Sequence, residues 1–278
     1  MQPKIFMEIL GTIIITLLIG LLLYLFMIAP RMTNKPDYTP FFHTYYAHRG
    51  LFDNNSNVPE NSLSAFQKAV DAGYGMELDV QLSKDKKLVV FHDATLKRMC
   101  GVEGKVWEYT LEELRQFKLL SSNETIPTFE EFLKVVDGKV PFILEFKLDV
   151  PQTTVCELAN EILKDYKGVY CIESFHPYAL MWYKKNRPDV LRGQLGEEFF
   201  RNKKYAKNPV FIPLSFLILN FLGRPDFIAF NYKHADNLSR RICRAMGALS
   251  VAYTIQSLDA YEKVKHKFDL FIFDSCRL

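Results

Sequence analysis

The chain has 278 residues, with 35 Lys and Arg against 32 Asp and Glu, a net charge of only +3. With no run of five like charges, it lacks the electrostatic footprint of a nucleic-acid binder. Its five cysteines (Cys100, Cys156, Cys171, Cys243, Cys276) are odd in number, scattered and without a C-x-x-C. This excludes both a disulfide framework and a zinc site, and unpaired thiols favour a reducing compartment, the cytoplasm.

Residues 9–29, ILGTIIITLLIGLLLYLFMIA, run for 21 positions without a charge. At about 1.5 Å per residue this covers a hydrocarbon core of roughly 30 Å. Met27-Ile28-Ala29-Pro30 offers no A-x-A cleavage site, so the stretch reads as a retained single-span anchor over residues 1–30 and not as a cleaved signal. Lys4 lies on one side, Arg31 and Lys35 on the other, and the positive-inside rule has no asymmetry to act on. Residues 31–43, rich in proline, read as a juxtamembrane linker.

From residue 44 to 278, apolar runs alternate with helical patterns. Strands are predicted at 44–50, 75–81, 87–93, 140–147, 169–175, 190–196, 226–232, 248–255 and 269–275. Between most of them lie helices with start and stop signals. Asn61 or Ser62 serves as N-cap before residues 63–72 and Gly73 as the stop, and TLEE and TFEE open with capping boxes. This alternation predicts a parallel sheet covered by helices.

Nine strands exceed the eight of a (β/α)₈ barrel, but the second and third are separated only by Leu82–Lys86. Parallel neighbours need a crossover of about a dozen residues or more, so this pair is an antiparallel hairpin. Eight β-units remain, the number of a TIM barrel with a hairpin excursion after its second strand. An open doubly wound sheet also accommodates eight strands, though no G-x-G-x-x-G follows the first.

Strand alternation sends Met76, Leu78 and Val80 to one face and Glu77, Asp79 and Gln81 to the other. In a barrel the outward face meets apolar helices, which leaves the acids inside. Two buried carboxylates side by side are disfavoured unless a cation separates them, and a hard divalent ion with oxygen ligands is the simplest remedy. A turn centred on Lys84-Asp85 brings His92 back opposite Glu77 and Asp79. Glu145 and Lys147 share a face of FILEFK, and His48 and Arg49 end the first strand, so these groups are predicted to converge at the strands' carboxyl ends. Paired carboxylates alone would suit glycoside hydrolysis, which has no need of Arg49 and Lys147. Those suit an anionic substrate such as phosphate. Two histidines can take one proton and give another near neutral pH. The set points to metal-assisted phosphodiester cleavage.

HRG (48–50), PENS (59–62), ELDVQLSKD (77–85), VVFHD (89–93), IPTFEE (126–131), LEFK (144–147) and SF (174–175) occur in this order. Together they resemble the glycerophosphodiester phosphodiesterase family over about residues 45–275. The resemblance implies a (β/α)₈ barrel that cleaves glycerophosphodiesters to an alcohol and glycerol 3-phosphate. It further implies Mg²⁺ or Ca²⁺ on Glu77, Asp79 and Glu145. His48 and His92 would act as general base and acid, with Arg49 and Lys147 on the phosphate. Attack by water and attack by the neighbouring glycerol hydroxyl both fit. The family's W-T-V-N strand reads Tyr253-Thr254-Ile255-Gln256 here and its T-D-x-P reads Phe273-Asp274-Ser275-Cys276. Both departures bear on leaving-group preference. The family's usual helix after the last strand has no counterpart before Leu278, a gap that residues 30–43 are expected to cover.

Other residues have plainer readings. Glu60-Asn61 is a helix cap or a substrate-side pair, Asp93 an orienting neighbour, and Trp182 and Tyr183 helix packing. His43, His176, His234 and His266 read as surface or loop residues. The segment 208–225, NPVFIPLSFLILNFLGRP, has too few apolar residues to span a bilayer. It reads either as a helix packed outside the barrel or as a membrane-dipping lip, the latter favoured by the preceding RNKKYAK. A lip would make a membrane lysophospholipid the substrate. A non-catalytic module for phospholipid head groups is the alternative from another class.

Overall fold

The computed structural model describes residues 3–148, 152–203 and 205–278. Each of the nine predicted strand segments contains a strand: β1 Tyr46–His48, β2 Gly75–Leu82, β3 Leu88–Val90, β4 Phe142–Phe146, β5 Tyr170–Ser174, β6 Arg192–Gly196, β7 Phe227–Asn231, β8 Leu249–Ile255 and β9 Leu270–Phe273. Eight of these, all but β3, pair in parallel, and β1 bonds to both β2 and β9. The sheet is therefore a closed barrel, and the open-sheet option falls. β3 pairs antiparallel with β2, Val80 opposite Val90.

Among the described residues eleven α-helices stand in chain order: α1 Pro3–Ile28, α2 Leu63–Asp71, α3 Lys97–Cys100, α4 Leu111–Leu114, α5 Phe129–Val136, α6 Thr154–Leu163, α7 Pro177–Asn186, α8 Ile212–Ser215, α9 Asn220–Gly223, α10 Leu238–Ala245 and α11 Leu258–Val264. Capping chemistry sets the starts. Ser62, not Asn61, caps α2 by accepting from Ala65 N, and Thr110–Glu113 and Thr128–Glu131 form reciprocal capping boxes. Each such cap stabilises its helix by about 1 kcal/mol. α6 begins at Thr154, and residues 149–151 lie outside those described.

Alternation sorts the barrel into two apolar layers. Met76, Leu78, Val80, Leu144 and Phe146 point outward and pack under the helices. The inward residues at the strand beginnings, Tyr46, Ile143, Cys171, Phe227 and Leu270, fill the lower half of the interior with Phe41 beneath them. Gly193 leaves room for the Phe227 ring, which lies 2.0 Å from where a Cβ would stand. Residues 30–43 cross this floor. The Phe41 carbonyl accepts from the Tyr46 hydroxyl at 2.8 Å, and Lys35 reaches the carbonyl of Gly247, just before β8. They close the floor and not the gap after β9.

Between β6 and β7 no long helix forms among the described residues. The turn Pro209–Phe211 and the four-residue helices α8 and α9 stand where a single greasy helix was one expectation. Pro213 and the left-handed backbone of Leu217 (φ 56°) interrupt the run. The place is completed by α1. The Tyr24 hydroxyl meets Ser239 Oγ at 2.8 Å, and Ile28, fully buried, offers its carbonyl to Asn220 Nδ2 (2.9 Å) and Cys243 Sγ (3.2 Å). Arg224 donates to the carbonyls of Phe26 and Ala29. The final turn of the apolar helix is thus part of the barrel wall, while most side chains before Tyr24 stand exposed. This is the one helix among the described residues that is long and apolar enough to cross a membrane.

Candidate active site

Five strands bring charged groups to one end of the barrel. β1 pairs with β2 so that His48 stands beside Glu77, β2 with β4 so that Asp79 stands beside Glu145, and β4 with β5 so that Glu145 stands beside Glu173. All four carboxylates are buried. The hairpin continues past β3 with Phe91 N donating to the Asp79 carbonyl at 3.0 Å. His92, the next residue, is therefore delivered opposite the Glu77–Asp79 stretch.

The turn after β1 explains its glycine. Arg49 and Gly50 both have positive φ (55° and 81°), and a Cβ on Gly50 would lie 2.8 Å from the Ala65 backbone. That turn aims the Arg49 amide at Glu77 Oε2 (3.1 Å) and its guanidinium at Glu60 Oε1 (2.5 Å). Lys147 Nζ bridges Asp79 (2.9 Å) and Glu145 (2.6 Å). Both cations therefore lie among the acids.

Each histidine is held by its own carboxylate. His48 Nδ1 is 3.1 Å from Asp274 Oδ2, and its Nε2 is 3.9 Å from Glu77. His92 Nδ1 is 2.7 Å from Asp93, which in turn accepts from Arg98 Nε at 2.6 Å. With Nδ1 engaged, Nε2 is the nitrogen left for chemistry on both rings. Burial pushes the pKa of each imidazole below its ordinary value; nearby cations (Arg49 for His48, Lys147 for His92) add to this, while Asp274 beside His48 and Asp79 near His92 oppose it.

The carboxylates split. Burial and then the charges of Asp79 and Glu145 drive Glu77 well up, and burial lifts Glu145 to about 7. Burial opposes ionisation of Asp79 too, but Lys147, His92 and Arg49 hold its pKa well below the usual range. Glu173 is driven up by burial and by Glu145. Glu77 Oε1 and Glu173 Oε2 have no hydrogen-bond partner, a cost of roughly 1–3 kcal/mol or more for each buried polar atom. Oxygens of Glu77, Asp79 and Glu145 lie within 4.8 Å of one another. An excess of buried, partly orphaned carboxylate oxygens at this spacing suits one hard cation with oxygen ligands.

All seven predicted site residues, His48, Arg49, Glu77, Asp79, His92, Glu145 and Lys147, meet in this cluster. Sequence reasoning missed Glu173, although CIES repeats the alternation of ILEF one strand on. It also missed Asp274 as the partner of His48. The two departures noted at the last strands serve that carboxylate, since Gln256 and Ser275 both donate to Asp274 Oδ1 (3.2 and 2.9 Å). The pair Glu60-Asn61 proves to be supporting structure. Asn61 donates to Asp79 Oδ2 (2.9 Å), and Glu60 binds Arg49 and Arg98. Among the histidines read as peripheral, His176 instead lines a pocket of about 670 Å³ that opens beside His92, Glu145 and Lys147. Phe175, Met181, Phe211, Leu214, Leu219 and Leu222 give it apolar walls.

Residues 48–205 match the model of the glycerophosphoryl diester phosphodiesterase family. A glycerophosphodiester phosphodiesterase of Caldanaerobacter subterraneus subsp. tengcongensis is 34% identical over 161 residues, which is 54% of this chain and 65% of that protein's length. The crystal structure of a glycerophosphodiester phosphodiesterase from Thermotoga maritima superposes with a TM-score of 0.64 at 28% identity, covering 84% of this chain and 95% of that one. An Oleispira antarctica phosphodiesterase solved with sn-glycerol-3-phosphate shares the fold with a TM-score of 0.68 at 24% identity, covering 84% of this chain and 94% of that one.

Proposed function

The chain belongs to the glycerophosphoryl diester phosphodiesterase family, and from that premise we propose that it hydrolyses glycerophosphodiesters to an alcohol and glycerol 3-phosphate. The observation that carries this is the packing of three carboxylate oxygens within 4.8 Å between two histidines, each oriented by its own carboxylate. Glu77, Asp79 and Glu145 hold one divalent cation, Mg²⁺ or Ca²⁺. When bound, such an ion polarises the phosphoryl oxygens and offsets the charge that develops on them. Arg49 and Lys147 turn from the acids to the phosphate. His48, acting as the neutral base and fixed by Asp274, takes a proton from the attacking oxygen: that of water, or first that of the neighbouring glycerol hydroxyl, whose cyclic phosphate water then opens to glycerol 3-phosphate. His92, in its imidazolium form, gives its Nε2 proton to the departing alcohol, while Asp93 on Nδ1 keeps the ring in register.

A second reading has an observation of its own. The apolar pocket beside His92 and Lys147 is far larger than a glycerol moiety needs and lies within the range of sites for drug-sized ligands. An acyl chain fills such a space, which would make the substrate a membrane lysophospholipid and the product lysophosphatidic acid.

The helix α1 is read as a retained anchor preceding the catalytic domain of residues 44–278. Its support is the burial of Ile28 and the two groups that donate to the Ile28 carbonyl, because cleavage near residue 30 would strip the barrel of part of its wall. The five unpaired cysteines favour the cytoplasmic side.

One assay separates these readings. Glycerophosphocholine, glycerophosphoethanolamine and lysophosphatidylcholine are each offered with Mg²⁺, Ca²⁺ or EDTA. Release of glycerol 3-phosphate supports the first reading and lysophosphatidic acid the second. Absence of turnover in every condition overturns both and leaves a head-group binding module.

A further inference from the structure

The helix α1 fixes which end of the barrel meets the membrane. In each β/α unit the helix runs back from the carboxyl end of its strand, so α10 descends from Leu238 at the mouth to Ala245 near the floor. Along it, Tyr24 sits at Ser239 and Ile28 at Cys243. Arg31 then donates to the Pro188 carbonyl and bonds through its amide to Pro225, both on the floor side. So α1 descends towards the floor as well, and its first twenty residues stand beyond the mouth.

The surface agrees with that direction. Outside α1, nine large apolar side chains are exposed among the described residues: Met32 and Tyr38 on the floor side, and seven at the mouth end. Four of the seven, Phe200, Val210, Ile212 and Phe216, belong to the β6–β7 crossover, where the Phe200 and Phe216 rings stack at 5.9 Å. Basic residues flank them, with Arg201, Lys203, Lys207 and Lys233 exposed on the same rim. Lys204 lies outside the described residues.

Length gives a third argument. The charge-free stretch loses its last turns to the barrel wall, leaving residues 9–23 to cross the hydrocarbon. At about 1.5 Å per residue they cover about 22 Å, less than the roughly 30 Å core. A short span is accommodated by local thinning of the bilayer and by flanking residues that reach its interface, and the surface that adjoins Tyr24 is this rim.

Resting on the reading of α1 as a retained anchor, we infer that the barrel lies mouth-down on the bilayer that holds it. The β6–β7 crossover enters the head-group layer, and the apolar pocket opens towards the lipid. Apolar rings inserted among head groups with a fringe of lysines and arginines are the mode of an interfacial anchor, favoured by anionic lipid. The occupant of this face is therefore the membrane itself.

The test uses the full chain in vesicles of phosphatidylcholine and phosphatidylglycerol with brominated acyl chains. In a background with Trp107→Phe and Trp182→Phe, a tryptophan is placed on the crossover by Phe216→Trp or, as a second probe, Phe200→Trp. It is placed on the floor by Tyr38→Trp. Circular dichroism establishes that each variant folds, and flotation establishes that it is anchored. The mouth-down arrangement predicts that either crossover probe is quenched at least about twofold more than the floor probe, as insertion to acyl-chain depth requires. Equal quenching, stronger quenching at the floor, or none at either position overturns it. A chain that fails to float removes the anchor and the inference together. Because quenching needs no turnover, an enzyme inactive on every diester would overturn the proposed function and leave this arrangement standing.

Discussion

The first four strands of the barrel and the last four face the same mouth with opposite chemistry. Along β1, β2, β4 and β5 the inward positions near the top are His48, Glu77, Asp79, Glu145 and Glu173, and the hairpin adds His92. Along β6 to β9 the inward positions within the strands are chiefly Leu195, Ala229, Val251 and Ile272; above them stand Tyr253, Asn231 bonded to Glu197 (3.1 Å), and Asp274, which reaches across to His48. One half can bind a cation and move protons. The other is apolar through most of its depth. The division shows how a barrel separates reaction from recognition, since each strand contributes one or two side chains to the mouth and neighbouring strands can be specialised together.

The comparison breaks most readily on the acidic half. Asp79→Asn or Glu145→Gln should lower hydrolysis of glycerophosphocholine by about a thousandfold or more and weaken Mg²⁺ or Ca²⁺ binding in titration calorimetry. Unchanged cation affinity would show that the acids serve only Arg49 and Lys147. His92→Ala should cost about 10²–10⁴ in kcat with an unaltered circular dichroism spectrum, the usual range for a positioned acid or base; wild-type rates would refute its role. Asp274→Asn acts through His48 and should lower kcat by about tenfold to a hundredfold while KM stays within about twofold. A rise in KM alone would place Asp274 with the substrate. On the apolar half, Phe200→Ser with Phe216→Ser should reduce turnover of vesicle-borne lysophosphatidylcholine by about tenfold and spare glycerophosphocholine. Equal losses would mean the crossover supports the fold and not the lipid.

The smallest expected effect concerns stability. Burial works against the Glu60 charge, but Arg98 and Arg49 bring its pKa down to about 2, below its ordinary 4.5. The stability this provides is complete above pH 4.5 and is lost as pH falls towards 2. Between pH 5 and pH 3 that amounts to about 2 kcal/mol at most, less for the half-exposed Arg98. Glu60→Gln should therefore flatten the dependence of urea midpoints on pH in that window. An unchanged slope would show that the ion pairs contribute nothing net.

How much of this was legible in the sequence follows the same division. Alternating acid and apolar residues in GMELDVQ and FILEF can be read because period two in a buried strand has one physical outcome. The short Leu82–Lys86 turn forces the hairpin, and the hairpin forces the position of His92. Glu173 was less visible because CIES carries a single acid with no charged partner on its face, whereas Glu145 shares its face with Lys147. Asp274 was hidden because its partner lies 226 residues away. In 208–225 apolar content is high without a period, so the chain offered no way to tell one helix from three short turns. The docking of α1 was invisible for a related reason: an apolar face reads the same whether lipid or protein covers it.

That docking has a consequence for how the molecule is made. Ile28 finds its hydrogen-bond donors 192 and 215 residues later in the chain, so this segment waits for one made some two hundred residues after it before its site exists. Contacts of such sequence separation form slowly, and transiently uncovered apolar surface invites aggregation. A shortened version beginning after residue 30 would fold around an open seam, with the Asn220 amide and the Cys243 thiol deprived of their acceptor. Such truncates should be poorly soluble for reasons unrelated to lipid, and mutating Asn220 and neighbouring apolar residues to suit water is the remedy this architecture prescribes.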